Sequence, residues 1–483
     1  MKPTHIPVLR HGVPYRSLEQ QIVSDCRTGE PLATVSMANT GLIRQDLGTS
    51  EPGSRALRAL GVEGVIAIAH DAARRFLHDE LSIDEASSHG PEEHLRVLSA
   101  TTGLPLTLCR GHIAKVHHVL THLGEIHDGL TRGLDRDILG RGHGHDGRLP
   151  ISFVSQCRRL GVVLPSNSPG VHALWIPALA LLTNVALKPG SNEPWTALRV
   201  LQALLAAGLP PEAVGHYPCD HAGAISLLES ADRGMVFGDS STTAAWRHRS
   251  NVEIHGPGQS KILLGREATE RWEEHADCIV ESMLAGGGRS CINASSLLVH
   301  RDGRAIAESL ASRVAEIPLR GLDDPEAVLA GFVSQEAAES LDARLEELLA
   351  IPGAEDLTRP LRGGVRMTSE EGMTALLPTI VHITDPEHPL ARTEFPFPFL
   401  AVVEAPRDWG STERLRWIGP TLALTAITED PVLLQGLHRA ANIHRLHLGP
   451  IPTTQVAWDQ PHEGDLFALL YRRRAIAGGE GGP

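Results

Sequence analysis

GVVLPSNSPG, residues 161–170, decides the fold of this chain. Gly161 to Leu164 is a short apolar run of the kind that forms a strand buried on both faces. It runs straight into a Pro/Asn/Ser turn, and a mostly apolar helix is predicted over 171–182. The unit then recurs. NVALKPGSNEP, 184–194, reads as strand and turn, followed by a helix over 195–207 with Leu198, Leu201, Leu204 and Leu205 as its apolar side. HYPCD, 216–220, is a third strand with a helix near 221–230. GMVFGDSSTTAAW, 234–246, is a fourth strand entering a Gly/Ser/Thr turn. NVEIHGPGQSKILLG, 251–265, gives a fifth strand, a glycine turn and another apolar run. Alternating β and α segments with short connections predict an α/β fold: a parallel sheet with helices on both faces. Ligands bind such sheets at the carboxyl ends of the strands. The candidate site residues therefore lie in the turns: Asn167, Lys188, Ser240, Glu253 and Cys291.

Outward from this region the pattern is looser. GGGRSCINASS, 286–296, follows a predicted helix over 275–285 and precedes a strand starting at 297. Its glycines let the backbone turn tightly and approach a ligand, so Cys291 sits where reactive side chains are usually presented. A small structural thiol is the plain alternative. Upstream, residues 5–50 read as strands, Arg55 to Leu81 as helix around a glycine interruption, and 93–101 and 110–135 as further helices. The tract RGHGHDGRLP, 141–150, reads as loop; His143 and His145 lack a completing ligand set there, and no metal site is expected. Downstream, helices are expected over 304–317 and 334–350, strands over 374–383 and 421–430, a helix over 431–441, a late strand near 474–477 and a disordered glycine tail.

Composition narrows the function classes. The 483 residues, 42% hydrophobic, suffice for two or three cores. A net charge of −14 leaves no basic footprint for nucleic acid. No apolar run is long enough to span a bilayer, and MKPTHIPVLRHGVPYRS lacks the apolar core of a signal peptide. The six cysteines are scattered and never form CxxC pairs, which argues against zinc clusters and disulfide scaffolds and makes a cytoplasmic setting the expectation.

Several of these segments together resemble the aldehyde dehydrogenase superfamily, in the family's order. TTGLP at 101–105 resembles ETGKP. GVVLPSNSP resembles GVV…PWNFP, which implies that Asn167 helps bind an oxyanion. VALKPGSNEP resembles VVLKPSEQTP, which implies that Lys188 is the cofactor-ribose lysine. VFGDSS, with Ser240 and Ser241, resembles the FTGST turn that meets the pyrophosphate. GGGRSCINASSLLV resembles the nucleophile segment GQxCxAxxRxxV, which implies a catalytic Cys291. TEFPFPFLAVVEA resembles ExFGPV, which implies that Glu394 contacts the nicotinamide ribose. LALTAITED resembles LxAxIFTxD. The resemblance implies a Rossmann-type cofactor domain (1–140 and 159–252), an α/β catalytic domain (253–440) and a small β oligomerisation element (141–158 and 441–483). It implies NAD(P)-dependent oxidation of an aldehyde to a carboxylic acid through a thiohemiacetal and a thioester on Cys291, in a homo-oligomer, with a dimer expected.

The chain also departs from the family. Where a LELGGK segment carries the base, this chain has VEIHGPGQSKI, and either Glu253 or His255 suits the role; on a strand the two point to the same side. The segment also resembles the GAGN turn of CoA-acylating members, so CoA in place of water is the alternative acyl acceptor. Ser191 stands where many members have a glutamate that repels a 2′-phosphate, so NAD or NADP is open and NADP is expected to be tolerated. PHEGDLFALL, 461–470, replaces PFGGxKxSGxG before the last helix. A homologue that kept the fold and lost activity is the remaining reading.

Overall fold

The computed structural model describes residues 3–48, 51–84, 86–147, 149–405 and 414–477; the expected glycine tail lies outside these. Two seven-stranded sheets dominate. The first is built from β1 (Val8–Arg10), β2 (Val13–Tyr15), β3 (Arg159–Val163), β4 (Asn184–Lys188), β5 (Val214–His216), β6 (Arg233–Phe237) and β7 (Val252–His255). Their order is β7-β6-β3-β4-β5-β1-β2, parallel from β7 to β5 and closed by the antiparallel β1–β2 hairpin. Every residue of β3 is buried, as a strand covered on both faces requires. A methyl group on Gly161 would lie 2.8 Å from Leu227 Cδ2 and 2.9 Å from Ala231 Cβ, so the glycine lets the His221–Ser230 helix pack directly on the strand.

The chain leaves β3 towards β4 and β5, then returns to place β6 on the other side of β3. The turns after β3 and β6 therefore flank a crevice at the topological switch point. The helix expected over 171–182 is broken into Pro169–Val171, His172–Trp175 and Pro177–Ala180. Pro177 supplies no N–H and crowds the preceding turn.

The second sheet is built from β8 (Ser260–Leu264), β9 (Ala294–Val299), β10 (Ala354–Asp356), β11 (Thr379–Ile383), β12 (Phe399–Glu404), β13 (Thr421–Ile427) and β14 (Ile443–Leu448). Their order is β10-β11-β12-β9-β8-β13-β14, and only β10 runs antiparallel. The apolar run after the glycine turn at 256–258 thus opens a new sheet. Residues 253–255, expected in the catalytic half, pair with β6; residues 443–448, expected in the bridging element, pair with β13. In both cases strand pairing, which local pattern does not show, sets the membership. Pro378 likewise splits the strand expected over 374–383, leaving Met373–Leu376 to pair with Met367–Glu370.

A three-stranded antiparallel sheet joins His143–Asp146, Leu149–Ser155 and Tyr471–Arg474. The tract expected to be loop is therefore largely hairpin, because the neighbouring strands supply its backbone partners. Two helices frame the site: α1 (Leu106–Thr121) and α2 (Ala276–Leu284). No helix among the described residues is long and apolar enough to cross a membrane.

Candidate active site

The turn between α2 and β9 is fixed from every side. Gly286, Gly287 and Gly288 have φ of 63°, 71° and 70°, the left-handed region that side chains disfavour. A methyl group on Gly288 would lie 2.4 Å from Pro398 N, so the turn and the start of β12 are in direct backbone contact. The Asn293 side chain accepts the Ser290 N–H at 2.9 Å and donates to Ser282 O at 3.0 Å and Ala285 O at 2.9 Å. Buried Arg289 donates to Thr102 O at 2.8 Å and to Gly331 O, and its guanidinium stacks over Phe332. Between these anchors Cys291 is half-buried. Its carbonyl accepts the Ser260 hydroxyl at 2.8 Å, and a methyl group on Gly258 would lie 2.0 Å from that same oxygen.

The first sheet reaches this turn from its carboxyl ends. Asn167, after β3, donates from Nδ2 to Arg289 O at 3.2 Å, which ties the two sheets' turns together. Lys188 closes β4, and its Nζ meets Ser191 Oγ at 3.4 Å. Ser240 and Ser241 begin the four-residue helix after β6; Ser241 donates to Asp239 Oδ1 at 2.7 Å, and Asp239 caps that helix by accepting the Thr242 N–H at 2.8 Å. Phe237, the last residue of β6, stacks on the His255 ring with centroids 4.3 Å apart.

The second sheet contributes from its amino ends. Glu394 accepts the Gln259 N–H at 2.8 Å, and Gln259 itself is held at φ 45°, a strained backbone typical of functional turns. Lys261 is buried below, bonded to Gln259 O at 2.6 Å, Thr421 Oγ1 at 3.0 Å and Pro420 O at 3.1 Å. Glu253 and His255 point to the same side of β7, with His255 Nε2 2.9 Å from Glu253 Oε1. His255 Nδ1 faces Glu463 Oε2 at 3.4 Å. Glu463 belongs to the stretch where the sequence departs from its resemblance, and no local pattern distinguished it. A small pocket adjoins this group, lined by Glu253, His255, Arg445, Trp458 and His462; Val456, also in its lining, packs on the same apolar cluster as Cys291.

These groups perturb one another. Burial pushes the Cys291 thiol well above its ordinary range, and the carboxylates of Glu394 and Glu463 push the same way, so the resting sulfur is protonated. Burial also raises Glu394, against the N–H bonds from Gln259 and Gly258 that lower it and with Glu463 raising it further, to about 8. Burial lowers Lys261 to about 7, partly offset by Glu394. Burial alone would lower His255, but hydrogen bonds and charges from Glu253 and Glu463 outweigh it and push the imidazole up to about 9. At neutral pH it is therefore an imidazolium between two carboxylates, not the free base its ordinary pKa would make it. Among the described residues no three side chains could hold a metal ion.

The model of the aldehyde dehydrogenase family matches residues 89–409. The N-succinylglutamate 5-semialdehyde dehydrogenase of Chromohalobacter salexigens is 29% identical over 262 residues, covering 52% of this chain and 51% of that protein. The Escherichia coli K12 protein of the same name is 25% identical over 239 residues, covering 47% and 46%. The match thus spans about half the length of these curated relatives. A variant of 1-pyrroline-5-carboxylate dehydrogenase from Thermus thermophilus shares 16% identity at a TM-score of 0.77, covering 98% of this chain and 93% of that one. An NAD-dependent aldehyde dehydrogenase from Sinorhizobium meliloti shares 16% at a TM-score of 0.74, covering 100% and 96%. At such identities the structural likeness establishes the fold.

Proposed function

Because the chain belongs to the aldehyde dehydrogenase family, we propose that it oxidises an aldehyde to a carboxylic acid through a covalent adduct on Cys291. The observation that carries this reading is the position of Cys291: on an immobilised glycine turn, with the Asn167 amide bonded to the carbonyl of Arg289 two residues before it. The residues present fit a nicotinamide dinucleotide. Lys188 makes no ion pair among the described residues, its amine facing only a hydroxyl, and Gln259 Oε1 beside Glu394 is buried without a partner. Lys188 and Ser191 would hold the adenosine ribose, the Ser240–Ser241 turn the pyrophosphate, and Glu394 the nicotinamide ribose. When bound, NAD or NADP would supply the hydride acceptor.

The chain's own groups do the rest. The resting sulfur carries a proton, so a carboxylate must take it before the C–S bond forms. Glu463 lies within electrostatic reach of the thiol and is itself held by His255; it is the acceptor. As the thiohemiacetal forms, charge develops on the former carbonyl oxygen. One N–H of Asn167 Nδ2 is committed to Arg289 O, and the other, with the Cys291 N–H, is available to that oxygen. Loss of hydride leaves a thioester on Cys291. Water then adds to the acyl carbon, and the C–S bond breaks. A carboxylate of the Glu253–His255–Glu463 group takes the water proton, and Glu253 passes it to the adjoining pocket. The Glu253–His255–Glu463 group offers a proton acceptor that water needs, and on that ground we favour water over CoA as acyl acceptor.

The relatives' named substrate is a semialdehyde of a glutamate derivative, and an aldehyde on a polar carbon chain is the substrate class we favour. We also infer a homodimer built on the 143–155 hairpin and the Tyr471–Arg474 strand, in a reducing cytoplasmic setting that suits six free cysteines. The test is a panel of aldehydes with NAD or NADP, each with and without CoA. Free acid formed without CoA, and lost in Cys291→Ser, is expected. Acyl-CoA formed only when CoA is added would replace the hydrolytic reading, and no turnover by the folded protein would select the inactive one.

A further inference from the structure

One face of α1 lies against both sides of the nucleophile turn. Leu108 would be 3.4 Å from a methyl group on Gly287, and His112 Nε2 4.0 Å from one on Gly286. His112 Nδ1 accepts the Gly170 N–H at 3.2 Å, which joins the same face to the turn carrying Asn167. One turn further along α1 comes Lys115. Its Cδ would be 3.3 Å from a methyl group on Gly170, so its stem runs over the turn that carries Asn167. Burial lowers the ammonium, and a thiolate at Cys291 would oppose this, so amine and sulfur lie within electrostatic reach of one another.

What sets Lys115 apart is its lack of a partner. Among the described residues it makes no ion pair and no hydrogen bond, although it is half-buried. The neighbouring His112 is neutral, pushed by burial down to about 3, and satisfies a backbone N–H rather than the lysine. A half-buried cation without a counter-ion is costly unless a ligand supplies one. The carboxylate of Glu463, also around the sulfur, would repel an anionic substrate arriving from its side.

We propose that Lys115 binds a carboxylate at the far end of the substrate, so that the aldehydes taken by this site are acidic ones: a carbonyl at one end of a short carbon chain and a carboxylate at the other. The inference rests on the Cys291 reading above and deepens it. Lys115 is a specificity residue, holding the tail while Cys291 Sγ meets the carbonyl carbon.

Two measurements test it. The first compares 5-oxopentanoate with pentanal, a matched acidic and neutral pair. Wild type is expected to favour the acid by roughly tenfold or more in kcat/KM, mostly through KM, as a charge-assisted hydrogen bond implies. Lys115→Met should collapse that preference, and Lys115→Arg should keep it. A wild type that prefers pentanal, or a Lys115→Met protein that still prefers the acid, overturns the proposal. The second needs no turnover. Alkylation of Cys291 by iodoacetate and by iodoacetamide is timed in the same proteins by peptide mapping. Thiolate content affects both reagents alike, so their rate ratio isolates attraction of the anion. The ratio should fall several-fold in Lys115→Met; an unchanged ratio overturns the proposal. Were neither aldehyde oxidised, the catalytic reading would fail while the alkylation ratio still decided the role of Lys115.

Discussion

Replacing His255 by glutamine tests the electrostatics of the site through stability alone. His255 is buried between Glu253 at 2.9 Å and Glu463 at 3.4 Å, with Phe237 stacked on its face. Its imidazole is pushed from 6.5 up to about 9. Each unit corresponds to about 1.4 kcal/mol, so the charged form contributes roughly 3 kcal/mol to the folded state. The pKa is raised on folding. The contribution is therefore complete below pH 6.5, declines by about 1.4 kcal/mol per unit as pH rises, and is gone above about 9. Glutamine keeps the shape and some hydrogen bonding but cannot carry the charge. The gap between wild type and His255→Gln should accordingly be widest near pH 6 and close towards pH 9.5. For a chain of this size roughly 3 kcal/mol corresponds to about 3 °C in Tm. Differential scanning fluorimetry of both proteins at half-unit steps from pH 6 to 9.5 reads it directly. A gap that stays constant over this range, or widens with pH, would refute the claim that an imidazolium is held between the two carboxylates.

Other perturbations bear on the chemistry. Asn167→Ala removes a side-chain donor from the developing oxyanion, and kcat should fall roughly a hundredfold or more with little change in Tm, by steady-state kinetics. Asp239, held ionised by the Thr242 N–H and the Ser241 hydroxyl, occupies donors that a pyrophosphate would use; Asp239→Ser should tighten dinucleotide binding about five-fold by isothermal titration, and weaker binding would count against the turn. Gly258→Ala forces a methyl group to 2.0 Å from Cys291 O, so the thiol should be displaced and Cys291 alkylation altered, with a loss of at least about 2 kcal/mol in stability. With Ser191 beside Lys188, NADP should be accepted alongside NAD; an NADP KM orders of magnitude above that for NAD would contradict this.

The repeated strand–turn–helix units from 161 onward placed β3 to β6 and their turns because each is a continuous apolar run ending in turn residues, and that pattern is local. The glycine turn that carries Cys291 was legible for the same reason, since three glycines and a cysteine announce an unusual backbone wherever they pack. What local pattern could not show is which strand pairs with which. The segment 251–265 reads as one strand and an apolar run, yet its halves belong to different sheets. That division is what lets the carboxyl ends of one sheet face the amino ends of the other, with the 256–258 turn spanning the gap beneath Cys291. Glu463 and Lys115 were illegible for a related reason. Each is an ordinary charged residue in its own stretch, one among acidic neighbours near the end of the chain and one on a helix with an apolar face. Their significance comes from lying well over a hundred positions from, yet electrostatically coupled to, a single sulfur. A site assembled across two sheets exposes its backbone turns to sequence reading and conceals its charge balance, because the turns are built locally while the field at the sulfur is a sum over the whole fold.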